Sequence, residues 1–155
     1  MALRIRKLGV PVAAEFPGLS GVVDLAADPA ACRVVAVVAA AGFRTRNPRR
    51  DRHVAGPAFL DACRYPDLRF DSTALRPTGP GRWTCEGVPT MRDVSRSLTF
   101  DIRLRERSAD GAVVATASTA LRRSTFGVNR YRWLAGDAIG LTVTARAVRM
   151  SGGLT

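Results

Sequence analysis

Between Val94 and Leu104 the chain alternates strictly: Leu98, Phe100, Ile102 and Leu104 fall on one side, and Ser97, Thr99, Asp101 and Arg103 on the other. Side chains two residues apart share a face only in an extended chain, so this run predicts a strand buried on one side. The same period returns at Leu68, Phe70, Ser72 and Ala74, and at Ile139, Leu141, Val143, Ala145 and Ala147. Val113, Ala115, Ala117, Thr119 and Leu121 give a weaker example. A chain patterned this way folds as a sheet with one apolar face, which must then find cover.

"CRVVAVVAAAGFRT" breaks the pattern by being apolar on both sides. Its paired valines, the closing Gly42 and the lack of a polar helical face predict a strand covered twice. Turn signals separate the runs: "AADPAA", "RPTGPG", "SADGA" and "GVNRYRWLAGD". Strands are expected at 2–8, 19–25, 33–45, 67–76, 82–88, 94–107, 112–122 and 138–149, with one short helical piece around Pro57 to Cys63 in the longest connection. No linker, repeat or low-complexity tract interrupts them, so residues 1–155 are expected to form a single domain. The fold class predicted is all-β, a single eight-stranded antiparallel barrel, because closing the sheet removes its edges. A barrel of about eight strands either packs solid or holds one small ligand, and periodicity alone leaves both open.

The 155 residues carry a formal charge of +11, and Lys7 is the only lysine among the 24 basic residues. That charge suits nucleic acid, an anionic membrane surface or a phosphorylated small molecule without choosing between them. Aromatics are only 6% and form no stacking motif, which argues against nucleic acid. Cys32, Cys63 and Cys85 are odd in number and lack a CxxC pair, and His53 is the only histidine. A disulfide framework and a zinc site of ordinary spacing are therefore not expected, nor any other metal or cofactor. Free thiols point to a reducing compartment. The basic N-terminal stretch is broken by Pro11 and Glu15, unlike a signal peptide, and the apolar run Val34 to Phe43 is about half a membrane span. The expectation is a cytoplasmic protein.

"RNPRRDRHVAGPAFLDACRYPDLRFDST" is similar to the long connection of the YceI-like family. That family has an Asn-x-x-Arg-Asp-x-His-Leu run, a Phe-Phe-Asp helix and a Tyr-Pro-x-Ile-x-Phe-x-Ser strand. The matches are Asn47, Arg50, Asp51, His53 and Val54, then Phe59, Leu60 and Asp61, then Tyr65, Pro66, Leu68, Phe70 and Ser72. "FPGLSGVVDL", "CEGVPTMRDVSRSLTFDIRL", "LRRSTFGV" and "AGDAIGLTVTARA" resemble further family blocks in the same order. The resemblance implies a lipocalin-like barrel with a helix packed at one side. It also implies an elongated apolar channel that binds a long isoprenoid chain, often the tail of a quinone-like molecule. The family's lead-in, an Asp and a His-Ser pair before the first strand, is not matched, which predicts a shorter first strand and a wider seam. Asp93 replaces the hairpin glycine, Thr125 the Asp before Phe-Gly, and Arg122 the Asn before Arg123.

On this reading the channel is lined by Leu68, Phe70, Leu98, Phe100, Ile102, Leu104, Val113, Leu141 and Val143. Phe59 and Phe126 close an end, and Asn47, Arg50, Arg123 and Trp133 form the polar mouth. The cluster Arg44, Arg46, Arg49, Arg50 and Arg52 is the collar of that mouth, and could also touch an anionic membrane. Arg103, Arg105 and Arg107 are expected on the outer surface. Asp51 and His53 sit beside no identifiable nucleophile, so no catalytic residue is assigned. The rival reading is a small cyclase or isomerase that shapes a polyene, terpenoid or polyketide in the cavity, with Glu86, Asp71, Cys85 and His53 as its only candidate polar groups. A third is a solid barrel acting through protein contacts, with the 34–43 strand as a homodimer face.

Overall fold

The computed structural model describes residues 2–7, 10–127 and 137–148. Within them ten strands make one antiparallel sheet. They are β1 (Ala2–Lys7), β2 (Val10–Glu15), β3 (Ser20–Asp24), β4 (Arg33–Ala39), β5 (Asp67–Gly79), β6 (Arg82–Met91), β7 (Val94–Ser95), β8 (Leu98–Arg107), β9 (Val113–Arg122) and β10 (Ala138–Ala147). A single α-helix, α1 (Pro48–Ala55), lies in the connection from β4 to β5. The strand order is β2-β1-β10-β9-β8-β6-β5-β4-β3, with β7 paired to β6.

The antiparallel barrel-type sheet is as expected, but it curls into a half-barrel instead of closing. β2 and β3 are its two edges and share no ladder among the described residues. Each expected strand region holds a strand, and β2 and β7 are additional. Pro11 sits in edge strand β2, where a missing N–H breaks no interior ladder. Arg92 and Asp93 both take left-handed conformations (φ 54° and 60°) and close a two-residue hairpin between β6 and β7. The expected 94–107 strand is broken at Arg96 and Ser97, which leave the ladder, so it is divided into β7 and β8.

The expected 33–45 strand ends at Ala39, because the chain turns through Ala40–Gly42 in a 3-10 helix. Only at Arg44 does it regain strand geometry, against the last residue of β2. The Glu15 N–H donates to the Arg44 carbonyl and the Arg44 N–H to the Glu15 carbonyl, both at 2.8 Å. Beneath this clasp the rings of Phe16 and Phe43 meet edge to face with centroids 5.4 Å apart. They belong to a buried cluster with Ala14, Val38, Ala40, Leu60 and Ala62.

The helix is not at Pro57 to Cys63. Asn47 accepts hydrogen bonds from the N–H groups of Arg49 and Arg50, and Pro48 occupies the first helical position, so α1 starts upstream. Residues 57–63 form consecutive turns against it, in which the Leu60 N–H donates to the Val54 carbonyl and the Ala62 N–H to the Ala55 carbonyl, both at 2.9 Å.

A second buried cluster, Cys32, Leu75, Cys85, Phe100 and Leu141, forms the middle of the sheet's inner face. On β5 the inward series runs Leu68, Phe70, Leu75, not Leu68, Phe70, Ser72, Ala74. A register shift between Ser72 and Ala74 changes which parity faces in, so Leu75 is 5% exposed. The Ser72 hydroxyl then accepts from the Val34 N–H at 2.7 Å. Across the sheet Phe70 packs edge to face on Phe100 with centroids 5.2 Å apart.

Gly87 makes room for that ring pair. A Cβ there would sit 2.6 Å from both the Asp71 carbonyl oxygen and Phe70 Cε2. Because one obstacle is backbone, rotating the ring does not relieve the overlap. Gly87→Ala is expected to destabilise the fold by about 1–3 kcal/mol, as overpacked cores do. Denaturant midpoints of the two proteins check this; equal midpoints would contradict the packing described.

Candidate functional site

The inner face does not fill the space it surrounds. A cavity of about 2100 Å³ runs along the sheet. Its wall is carbon: Phe70, Leu75, Trp83 and Cys85 from β5 and β6, Leu98, Phe100, Ile102 and Leu104 from β8, Val113, Ala117 and Leu121 from β9, and Ile139, Leu141 and Val143 from β10. Residues 34–38 of β4 complete it on the β3 side. Alternation explains the wall on β9 and on β8 as far as Leu104, where one parity faces in, whereas β3 and β4 border the cavity with both.

All eleven apolar candidates from the sequence reach this one cavity. Leu68, Phe70, Leu98, Phe100, Ile102, Leu104, Val113, Leu141 and Val143 lie along it, and Phe59 and Phe126 lie at the α1 end. Asn47, Arg50 and Arg123 are at the same end. Trp133 lies outside the described residues. The channel candidates from the sequence omitted Leu75, Trp83, Val34 and Val38, and Cys85 entered only as a polar group of the rival reading. The Trp83–Cys85 spacing carried the right signal, whereas Leu75 was hidden by the bulge.

At the α1 end a short polar network fixes the helix. Asp51 Oδ1 accepts from the Thr45 backbone N–H at 2.9 Å and from its hydroxyl at 2.6 Å. Arg50 Nε donates to the same hydroxyl at 3.1 Å. Asn47 spends its side-chain oxygen on the helix cap. His53 rests edge to face against Phe59, with centroids 5.2 Å apart. Arg123 is 5% exposed, and the segment holding it is tied down by Asp137, whose carboxylate accepts from the Ser124 N–H and hydroxyl.

The opposite end is apolar and open. Val22, Val23, Leu25, Leu104 and Val148 are the large hydrophobics exposed among the described residues, from 40% to 73%, and all five border the cavity. Arg107 also reaches this rim, because a shift between Leu104 and Glu106 turns the end of β8; the expected outer-surface position holds for Arg103 and Arg105 only. Asp110, a rim carboxylate, pairs with Arg146 at 2.8 Å.

Of the polar groups an enzyme would need, Asp71 and Glu86 do not reach the cavity, and Asp71 is held in a two-pronged pair by Arg69 on the exposed face. Burial, helped by the nearby Glu86 charge, pushes the Cys85 thiol up to about 11, so it stays protonated and a poor nucleophile at neutral pH. The folded protein holds that proton more tightly than the unfolded chain. Stability therefore falls as pH rises through the ordinary thiol value toward about 11. Native protein treated with iodoacetamide near pH 8 should be alkylated at exposed Cys63, with Cys32 and Cys85 reacting only after denaturation. Peptide mapping reads this, and equal labelling of Cys85 in the native state would contradict the burial.

Asp51 shifts the other way. Burial alone would raise its carboxyl, but the Thr45 hydroxyl and backbone hydrogen bonds and the charges of Arg50 and Arg44 outweigh it and hold the group below 3.8. Its contribution is thus fully present above the ordinary carboxylate value and lost as pH falls through the lowered one. Asp51→Asn should melt a few degrees lower at pH 7, and the gap should close toward pH 3. Thermal melts across that range check it; a constant gap would show that charge is not the cause.

No helix among the described residues is long and apolar enough to cross a membrane. The model of the YceI-like domain matches residues 2–147. A UPF0312 protein of Pseudomonas putida is 31% identical over 106 residues, covering 66% of this chain and 55% of its own length. One from Yersinia pestis is 29% identical over 83 residues, covering 54% and 43%. The chain spans about half the length of the curated relatives it matches. Among solved structures, Burkholderia cenocepacia BcnA superposes with a TM-score of 0.84 at 21% identity, over 95% of this chain and 94% of its own. A polyisoprenoid binding domain from Saccharophagus degradans, implicated in plant cell wall breakdown, gives 0.74 at 10% identity, over 94% and 90%. These two likenesses concern the fold, while the domain match extends across nearly every strand of the sheet: the chain belongs to the YceI-like family.

Proposed function

We propose that this chain binds one long apolar or amphipathic small molecule inside the half-barrel, an isoprenoid lipid with a polar head of which a quinone is one kind, and sequesters or carries it. The observation that carries the reading is the unfilled, carbon-walled cavity of about 2100 Å³. Ordinary small-molecule pockets are roughly 300–1,000 Å³, so the space suits an extended tail better than a compact metabolite. The Saccharophagus degradans neighbour, described as a polyisoprenoid binding domain, supports the same reading.

Burial supplies the affinity. At about 0.8 kcal/mol per buried CH₂, one five-carbon unit contributes roughly 3–4 kcal/mol before costs. A few units approach the practical ceiling of noncovalent binding, near 18–21 kcal/mol. An arginine near an anionic membrane adds only about 1 kcal/mol. The tail therefore sets the strength and the arginines set orientation, with a membrane as the source of the lipid. Free Cys32, Cys63 and Cys85 support a cytoplasmic location.

Native mass spectrometry of freshly purified protein, with organic extraction, should find a bound lipid at near-unit occupancy. Ala117→Trp, which puts an indole into the cavity from β9, should lower occupancy at least tenfold while the far-ultraviolet dichroism stays that of the parent. Intact protein that neither retains nor takes up a hydrocarbon tail would sink the proposal.

A further inference from the structure

The sheet leaves a slit along one side of the cavity. β1 pairs with β10 only at residues 139–142, so residues 143–147 have no ladder on that margin among the described residues. β3 pairs with β4 alone and is exposed at all five of its residues. Residues 19–25 and 143–148 all border the cavity, inward and outward parity alike. Both parities of a strand reach one space only where that space extends round a free edge. The slit therefore lies between β3 and the latter half of β10, and it runs into the open far end. The large hydrophobics exposed among the described residues stand on its margins and the rim beside it: Val22, Val23 and Leu25 in and after β3, Val148 after β10, and Leu104 on β8. An exposed apolar patch continuous with an apolar cavity marks a contact surface.

Arginines stand just behind that patch. Leu104 lies between Arg103 and Arg105, and Arg103 is directly opposite Arg82 of β6. Arg82 and Arg103 are exposed, and neither forms an ion pair among the described residues. Like charges directly opposite one another weaken a ladder, so this pair is unfavourable until anions neutralise it. Arg105 and Arg107 extend the row, with Glu106 the one carboxylate in residues 102–107. At the margins themselves charge is balanced: Arg146 pairs with Asp110, and Arg33 stands opposite Asp24.

We infer that this slit and rim are the face the protein lays on an anionic membrane, with Val23, Leu25, Leu104 and Val148 set into the headgroup layer and Arg82, Arg103 and Arg105 reaching the lipid phosphates around them. Long arginine stems lie along apolar surface while their heads stay with the charged groups. Apolar burial plus attraction to anionic lipid is what holds a protein in that layer. The inference rests on the binding reading above for its purpose and adds the route: a hydrocarbon chain passes sideways between bilayer and cavity without crossing water. A second copy of this chain, itself carrying +11, would meet the arginine row with like charge and would seal the slit. At the α1 end a polar helix and the buried Phe16–Phe43 cluster stand in place of exposed carbon.

The test is co-sedimentation of the full chain with vesicles of phosphatidylcholine and of phosphatidylcholine mixed with phosphatidylglycerol. The mixed vesicles should bind at least tenfold tighter, and raised salt should narrow the gap. Val23→Thr/Leu25→Ser, at exposed positions, should keep the parent's melting temperature and lose binding at least tenfold. Arg82→Gln/Arg103→Gln should melt no lower than the parent, because it relieves a like-charge pair, and should lose about fivefold per arginine on the mixed vesicles. Arg49→Gln/Arg52→Gln, at the other end, should bind them as the parent does. Loss of binding in that last variant but not in the first two overturns the inference in favour of the helix collar. Failure of the parent to bind either vesicle, or equal binding to both, overturns it as well. A light-scattering mass of two chains that falls to one in Val23→Thr/Leu25→Ser overturns it in favour of a second copy. Native mass spectrometry separates the two claims. A chain that retains lipid but ignores vesicles overturns this inference alone, whereas one that binds vesicles but holds no lipid supports the face and overturns the reading beneath it.

Discussion

A sheet that keeps its interior empty must be held open by something other than its own core. Here that constraint falls on the closed end, where Glu15 and Arg44 exchange two backbone hydrogen bonds above the Phe16–Phe43 pair. The clasp joins the end of β2 to the chain after β4 and so bypasses edge strand β3. The cluster beneath it also holds Leu60, with Val54 and Met91 packed alongside. One packed cap therefore anchors edge, helix and hairpin at once. With that end secured, the rest of the inner face can forgo the contacts it would make in a solid core.

The helix shows how local chemistry sets charge around the cavity. Asn47 and Pro48 start it, and Asp51 draws Thr45 and Arg50 into one network. The carboxylate in the middle of the arginine run is thereby consumed locally. What remains facing inward is positive. Salt bridges visible elsewhere, Arg69–Asp71 and Arg146–Asp110, are about half-exposed, and pairs of that kind contribute about 0–1 kcal/mol. The fold does not depend on them; it depends on the cap and on the ladders.

Much of this was readable from the chain. Period-two alternation located the inward residues of β10, and of β8 as far as Leu104, because the ladder is regular over those stretches. It failed where the backbone departs from a regular ladder. The shift between Ser72 and Ala74 swaps the inward parity of β5, and nothing in "DSTALRP" announces it. The shift beside Leu104 does the same to Arg107. The helix starts upstream of the expected 57–63 because Asn47 caps it and Pro48 opens it, which leaves 57–63 as turns packed against it. The arginine collar was legible as a cluster, but not which members face the cavity, since that depends on how α1 packs. Half-barrel against full barrel was not legible either. Strand count constrains circumference, whereas closure depends on whether two distant edges meet.

That last point bears on girth. In a closed barrel, strand number and stagger fix the circumference, and a bulkier guest must break rungs or displace wall residues. Here β2 and β3 share no ladder among the described residues, so beyond the Glu15–Arg44 clasp the margin between them can widen like the cut in a split ring with the strand ladders intact. If a guest is bound as proposed, a difference in its thickness would cost bending of a twisted sheet instead of lost backbone bonds, except at the end that is clasped.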